Sequence, residues 1–397
     1  MTRVNQSLQP WSGWAWASVM LALTGIAYPA QARFDPQDRF QLRASVDAQY
    51  DNNLFRLADE QPNSGFSRWD WVTTPQLQAR YQNEFSRQQL ILNGSFFAPR
   101  YDRNSQLDYQ GHQWESRWNG RLGDLWHPGL GYRSSQSLAS FSDIPLGVKD
   151  MIDDNTTSAS LMLGGERRAR ISIEGHWGDK THDSRRYLDL QDRMWAGVLG
   201  WRTTRGSDLG VRYEQREIQY EEPLRLGINR NYEQHKTGVL LSWPMSDQLM
   251  WKANLGYLQW AFDADVPGRS ACIGGGELNW RASDKLSLTA SGQRDADEPG
   301  DNLQISLSNR YRLEADWSWS DKMVTELSWS QQRKHYGVLL SQLARQDETN
   351  SVRAQWNWSP WQALTASLYW QSERRSSSAA DANYQDQVTG SMVELRY

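Results

Sequence analysis

From Phe40 onward the chain is written in alternation. In "FQLRASVDAQY" (40–50), Phe40, Leu42, Ala44, Val46, Ala48 and Tyr50 fall on one side, and Gln41, Arg43, Ser45, Asp47 and Gln49 on the other. A period of two marks a β-strand whose two faces meet different surroundings. The alternation returns near 39–50, 69–81, 87–101, 107–122, 129–139, 156–165, 170–180, 191–202, 207–219, 231–243, 249–262, 271–282, 286–295, 302–319, 324–337, 350–358, 363–375 and 385–397. The pattern predicts an all-β transmembrane antiparallel β-barrel of about 18 strands, an even number as in single-chain bacterial barrels.

Alternation alone does not say which face meets which solvent. A soluble sandwich turns its apolar face inward; a membrane barrel turns it to lipid and its polar face to a wet lumen. The connections discriminate. After even-numbered segments they are short, as in "PMSDQ" (244–248), "ASDK" (282–285), "SDK" (320–322) and "SPWQ" (359–362). After odd-numbered segments most are longer and more acidic, as in 51–67, 140–155, 220–230 and 338–348. Short periplasmic turns alternating with long outer loops belong to outer-membrane barrels. The apolar sides are also rich in Gly, Ala, Ser and Thr, which a lipid-facing surface tolerates better than a close-packed core.

The tryptophans fall into the same frame. Trp118, Trp201, Trp243, Trp280, Trp317, Trp319, Trp356 and Trp358 sit at the ends of segments, just before short turns. At one height they form an aromatic girdle at the periplasmic interface. A soluble core has no need of them at one end of every hairpin.

The two ends of the sequence carry further signals. "WAWASVMLALTGI" (14–26) is an apolar run after a single early charge, Arg3, and "AQA" (30–32) has the form of a cleavage site. A signal peptide over 1–32 is expected, leaving 33–397 as the barrel. The final "SMVELRY" (391–397) alternates and ends on an aromatic, with Val393, Leu395 and Tyr397 on one side. It resembles the terminal strand read by the barrel-assembly machinery, which is expected as a partner along with outer-membrane lipid.

Composition adds two points. The chain has 22 Trp and 16 Tyr against 9 Phe, a preference for rings with a polar handle. The net charge is -4 and no basic arm stands out, so nucleic acid is not expected as a partner. Inward positions include Arg43, Arg117, Arg121, Arg212, Arg216, Arg312 and Arg353, with Asp47, Glu115 and Glu214 among the acids. Bases outnumber acids there. The acidic balance is expected in outer loops such as "DMIDD" (150–154), "EE" (221–222) and "DADEPGD" (295–301). Two readings stay open: a lumen that favours anions, or interleaved ladders of mutually paired charges.

Catalytic signatures are scarce. There is no HExxH, GxSxG or CxxC, and Gly-Lys never occurs, so a P-loop is absent. His176 and His182 stand across an expected loop mouth without metal-ligand spacing, and "GGG" (274–276) reads as a place where backbones approach closely. Cys272 reads as a small strand residue. No metal, cofactor or enzymatic activity is expected.

"RFDPQDRFQLRASVDAQYDNNLFRLAD" (33–59) resembles the N-terminal region of outer-membrane β-barrel proteins encoded with exosortase-linked exopolysaccharide systems, themselves similar to β-barrel porin families. The matched positions centre on Asp51, Asn52, Asn53, Leu54, Phe55 and Arg56. The resemblance implies a part in exopolysaccharide biosynthesis by passage of the polymer across the outer membrane, with the polysaccharide chain and periplasmic export proteins as partners. The strand pattern supports equally a general or anion-preferring porin for small solutes.

Overall fold

The computed structural model describes residues 35, 38–58, 65–142, 148–164, 168–222, 230–262, 268–297, 306–336 and 345–397. The expected signal peptide lies outside the described residues. Among them, antiparallel strands join into one closed sheet. In chain order they are β1 (Phe40–Asp51), β2 (Asp70–Phe85), β3 (Gln88–Phe97, resuming at Arg100–Tyr101), β4 (Gly111–Gly120), β5 (Trp126–Leu138) and β6 (Met151–Leu163). Then follow β7 (Ala169–His182), β8 (Leu190–Arg202), β9 (Asp208–Tyr220), β10 (Tyr232–Ser246), β11 (Leu249–Phe262) and β12 (Arg269–Ser283). The last are β13 (Leu286–Asp297), β14 (Ser306–Ser320), β15 (Met323–Tyr336), β16 (Gln346–Trp361), β17 (Leu364–Ser377) and β18 (Tyr384–Arg396). The barrel therefore has 18 strands. Both pieces of β3 pair with β2, and the interruption falls at Pro99, which has no N–H to give the ladder.

Closure is made by β1 and β18, with Arg43 opposite Arg396 and Asp51 opposite Val388. Tyr397 and Leu42 exchange both backbone hydrogen bonds at 2.8 Å. This leaves no open edge, which a sheet in hydrocarbon cannot carry. No described helix is long and apolar enough to cross a membrane; the strands do the crossing.

The outer face follows the sequence phase. Phe40, Leu77, Leu199, Leu255, Leu313 and Leu368 all point outward and are exposed. The eight tryptophans expected in the girdle stand near the short-turn ends of their strands; Trp243 pairs with Trp251, and Thr325 lies between Trp317 and Trp356. Trp317 and Trp319 stack with centroids 4.3 Å apart. A second belt, not read from the sequence, runs nearer the long loops through Trp71, Trp114, Trp177, Trp195 and Trp370, all exposed. Trp195 and Trp201 mark the two belts on β8, roughly 20 Å apart along the strand at its usual rise per residue.

Strands overrun the upper belt, which moves some expected loop charges into strands. Met151–Asp154 of "DMIDD" belongs to β6, and Asp295–Asp297 of "DADEPGD" to β13. Residues 298–301 lie outside the described residues, and Glu221 and Glu222 remain in the connection after β9. The "GGG" stretch lies within β12. A side chain at Gly274 would put its Cβ 2.7 Å from the Asn254 carbonyl oxygen, so the backbones approach as closely as the sequence suggested. Cys272 is an exposed residue of the same strand.

Candidate pore lining

Each strand sends its polar side inward, and the register brings those residues into rows across the barrel. Arg212, Glu214 and Arg216 of β9 stand opposite Val198, Ala196 and Met194 of β8. There Arg212 reaches Glu174 across two strands and Glu214 at 2.9 Å on its own. Arg216 grips Asp192 with two bonds, 2.8 and 2.6 Å, and His176 approaches the same carboxylate at 3.0 Å. Arg202 makes two 3.0 Å bonds to Asp208, which also meets Arg170. Lys252 holds Glu277 at 2.9 Å, Arg312 holds Glu314 at 2.7 Å and Arg396 holds Glu394 at 2.6 Å.

These ladders correct the expected inward excess of bases. The sequence phase named Arg212, Glu214, Arg216, Arg312 and Arg353 as inward, and they are. It overlooked Asp192, which pairs with Arg216, and the inward acids Asp208, Glu277, Asp295 and Asp297, which pair with Arg202, Lys252, Lys236 and Arg310. Arg121 is not in the lining at all: it lies in the turn after β4, 3.2 Å from Asp124. Arg353 takes a different partner. Its guanidinium lies 4.4 Å from the Tyr369 ring centre, and Tyr369 donates to Asp47. His176 and His182 both belong to β7 rather than a loop; no group able to hold a metal ion occurs among the described residues.

One wall is built differently. Across β1 to β5 the register sets two rows side by side. One reads Gln41, Arg80, Asn93, Glu115, Arg133; the next reads Arg43, Gln78, Ser95, Gln113, Ser135. They line a hollow of about 640 Å³. On the far wall, Arg170, Asp208, Lys252, Glu277, Arg310 and Arg312 are among the residues around a second hollow of about 690 Å³.

The long-loop mouth is packed from two sides. After β1 the chain turns inward: Leu54, Phe55 and Leu57 are buried with Leu107 and Phe141 from the next two connections, and Tyr101 packs on them. The turn is held by polar groups. Asn53 donates to the carbonyls of Leu57 (2.9 Å) and Gln385 (2.8 Å). Arg56, at φ 56°, reaches both Asp51 and Asp386 at 3.0 Å. Asp386 is almost fully buried and lies three residues above the upper belt, which Tyr50 and Trp370 mark at Thr389. Burial pushes its carboxyl up to about 7; Arg56 opposes this, while the Asp51 and Glu373 carboxylates add to it. On the other side, Leu190, Ile218, Tyr220, Tyr232, Leu258 and Trp260 form a second buried cluster. The sequence signal for the first cluster is "NNLF", a polar pair followed by two large apolar residues in a long loop.

Residues 179–397 match a family model described as "Putative beta-barrel porin 2". A comparison with curated proteins gives no match. Among solved structures, OccK9 (OpdG) of Pseudomonas aeruginosa is similar with a TM-score of 0.51 and 11% identity, covering 90% of this chain and 98% of that one. A BenF-like porin from Pseudomonas fluorescens Pf-5 gives 0.50 and 8%, covering 91% and 99%. Pseudomonas aeruginosa OpdK, solved with vanillate, gives 0.50 and 10%, covering 90% and 99%. Identities this low carry the fold alone.

Proposed function

Because the chain belongs to the family described as putative beta-barrel porin 2, a family of the bacterial outer membrane, we propose that it is a porin admitting small hydrophilic solutes through its lumen. The observation that carries this reading is the contrast of faces. The outer face is apolar between two aromatic belts, and the inner face is largely polar, with two hollows of about 640 and 690 Å³ on facing walls. A barrel of this strand number leaves room for an aqueous channel. The chemistry the lining supports is passage: most of its charges are paired with one another rather than arranged as nucleophile and base.

The test is reconstitution. Purified protein in planar bilayers should give discrete conductance steps, and loaded liposomes should swell in small sugars. Heat-modifiable, folded protein that gives no conductance would end the porin reading.

The second reading, passage of an exopolysaccharide handed over by periplasmic export proteins, is supported by the resemblance of 33–59. The matched residues also have a local duty: Asp51, Asn53 and Arg56 fold the first loop. A strain lacking the gene separates the two readings. Loss of surface polymer with precursor synthesis intact favours export; normal polymer with impaired solute uptake favours the porin.

A further inference from the structure

We propose that the two-row shelf on β1 to β5 is a binding site for sugar acids, that is, solutes carrying several hydroxyls and one carboxylate. The inference rests on the porin reading for its route of access and deepens it by naming a substrate class.

The first argument is charge. On the facing wall each base has a carboxylate at close range, as in Lys252–Glu277 at 2.9 Å and Arg312–Glu314 at 2.7 Å. On the shelf one carboxylate serves several groups. Glu115 takes Arg117 at 2.6 Å, accepts from Asn93 at 3.3 Å and leaves Arg133 at 4.0 Å. Arg80 is bonded to a neutral group, the Gln82 amide, at 2.7 Å. Arg43 makes no ion pair among the described residues; its neighbours across the ladders are Gln78 and Arg396, and Arg396 is held by Glu394. The shelf thus keeps a positive surplus that the facing wall does not. An arginine's planar fork matches a carboxylate with two parallel bonds.

The second argument is the neutral groups. Beside these arginines stand Gln41, Gln78, Asn93 and Gln113, with Ser95 and Ser135. A side-chain amide both donates and accepts, as a sugar hydroxyl does, so a row of them suits a polyhydroxylated chain or ring. Neither row contains an aromatic side chain; Trp114, which also borders the hollow, turns its ring to the outer face, where it packs edge-on against Phe96. An aromatic carboxylate would find a partner for its charge in the rows but none for its ring. The hollow, about 640 Å³, lies within the range of small-molecule sites, about 300–1,000 Å³. It is open to the lumen, and the Arg133 side chain is 69% exposed. Exposed contacts of this kind are individually weak and screened by salt, so a solute is retained briefly and released.

The experiment uses the full barrel, with folding checked by heat-modifiable migration. Calorimetry on the solubilised protein reads the shelf, and bilayer conductance reads the channel. Galacturonate, galactose and benzoate are the probes. Galacturonate should bind more tightly than either of the others and block the current at lower concentration. Arg43→Gln with Arg133→Gln should weaken galacturonate roughly tenfold, the loss of one to two charge-assisted bonds, and leave galactose unchanged. Gln78→Glu, which adds a carboxylate without emptying the hollow, should do the same. Equal binding of all three probes, or galacturonate binding untouched by these substitutions, overturns the proposal. A folded barrel that binds galacturonate but carries no current keeps the shelf and removes the porin reading. A galacturonate trimer binding more tightly than the monomer identifies a polymer as the source of the ligand; equal binding identifies the free sugar acid.

Discussion

The Tyr369 hydroxyl lies 2.9 Å from both carboxylate oxygens of Asp47, and the two residues are on strands separated by β18. Gly390 stands between them: a Cβ there would fall 2.4 Å from the Tyr369 ring, so glycine lets the ring lie across the closing strand. Tyr369→Phe should therefore lower stability by about 1.5–3 kcal/mol, the range for a hydrogen bond to a charged group. Urea unfolding in lipid vesicles measures it. The combination with Asp47→Asn should lose less than the sum of the single changes.

The outer face predicts a depth dependence. Leu255, in the middle of β11, is 66% exposed, and Trp361, at the short-turn end of β16, is 68% exposed. Leu255→Arg should cost about 2–4 kcal/mol, and arginine at Trp361 nearer 0–1 kcal/mol for its charge. Equal costs in vesicle unfolding would contradict the placing of the belts.

Closure predicts an assembly defect. Tyr397 supplies both hydrogen bonds of the last closing pair with Leu42, and its ring is exposed beside the lower belt. Deleting β18 should leave two bare edges and abolish the heat-modifiable form. Tyr397→Asp should reduce its yield in cells, by weakening recognition during assembly. Full yield of folded barrel from the Asp variant would remove the proposed signal.

The first loop predicts a pH dependence. Asp386 is held with a pKa near 7 by burial, far above its unfolded value. A raised carboxyl favours the folded state while protonated, so this contribution is present at low pH. It is lost as pH rises from about 4 through 7, where the unfolded chain has released the proton and the loop has not. Exchange protection of the amides at 53–57 should thus be greater at pH 5 than at pH 8. Asp386→Asn should flatten the difference.

The strands were legible because their period of two survives in every hairpin, and "FQLRASVDAQY" occupies β1 within a residue of its expected ends. The lower belt was legible because its tryptophans abut short turns. The upper belt was hidden: Trp71, Trp177 and Trp370 fall inside segments, at distances from the long loops that vary with strand overrun. The ion-pair ladders were hidden for another reason. Asp192 meets Arg216 on an adjacent strand and Glu174 meets Arg212 two strands away, and such partners depend on register, which no single strand encodes. The same applies to the shelf, whose rows draw one residue from each of five strands.

The lock on the first loop joins the opening of the barrel sequence to its close. Asn53 bonds to the carbonyl of Gln385, and Arg56 to Asp386. A chain emerging from the ribosome makes Asn53 long before Gln385, 332 residues on. The loop therefore cannot settle over the mouth on any truncated or half-inserted product. Its docking waits for β18, so the entrance takes its final shape in the same event that seals the wall.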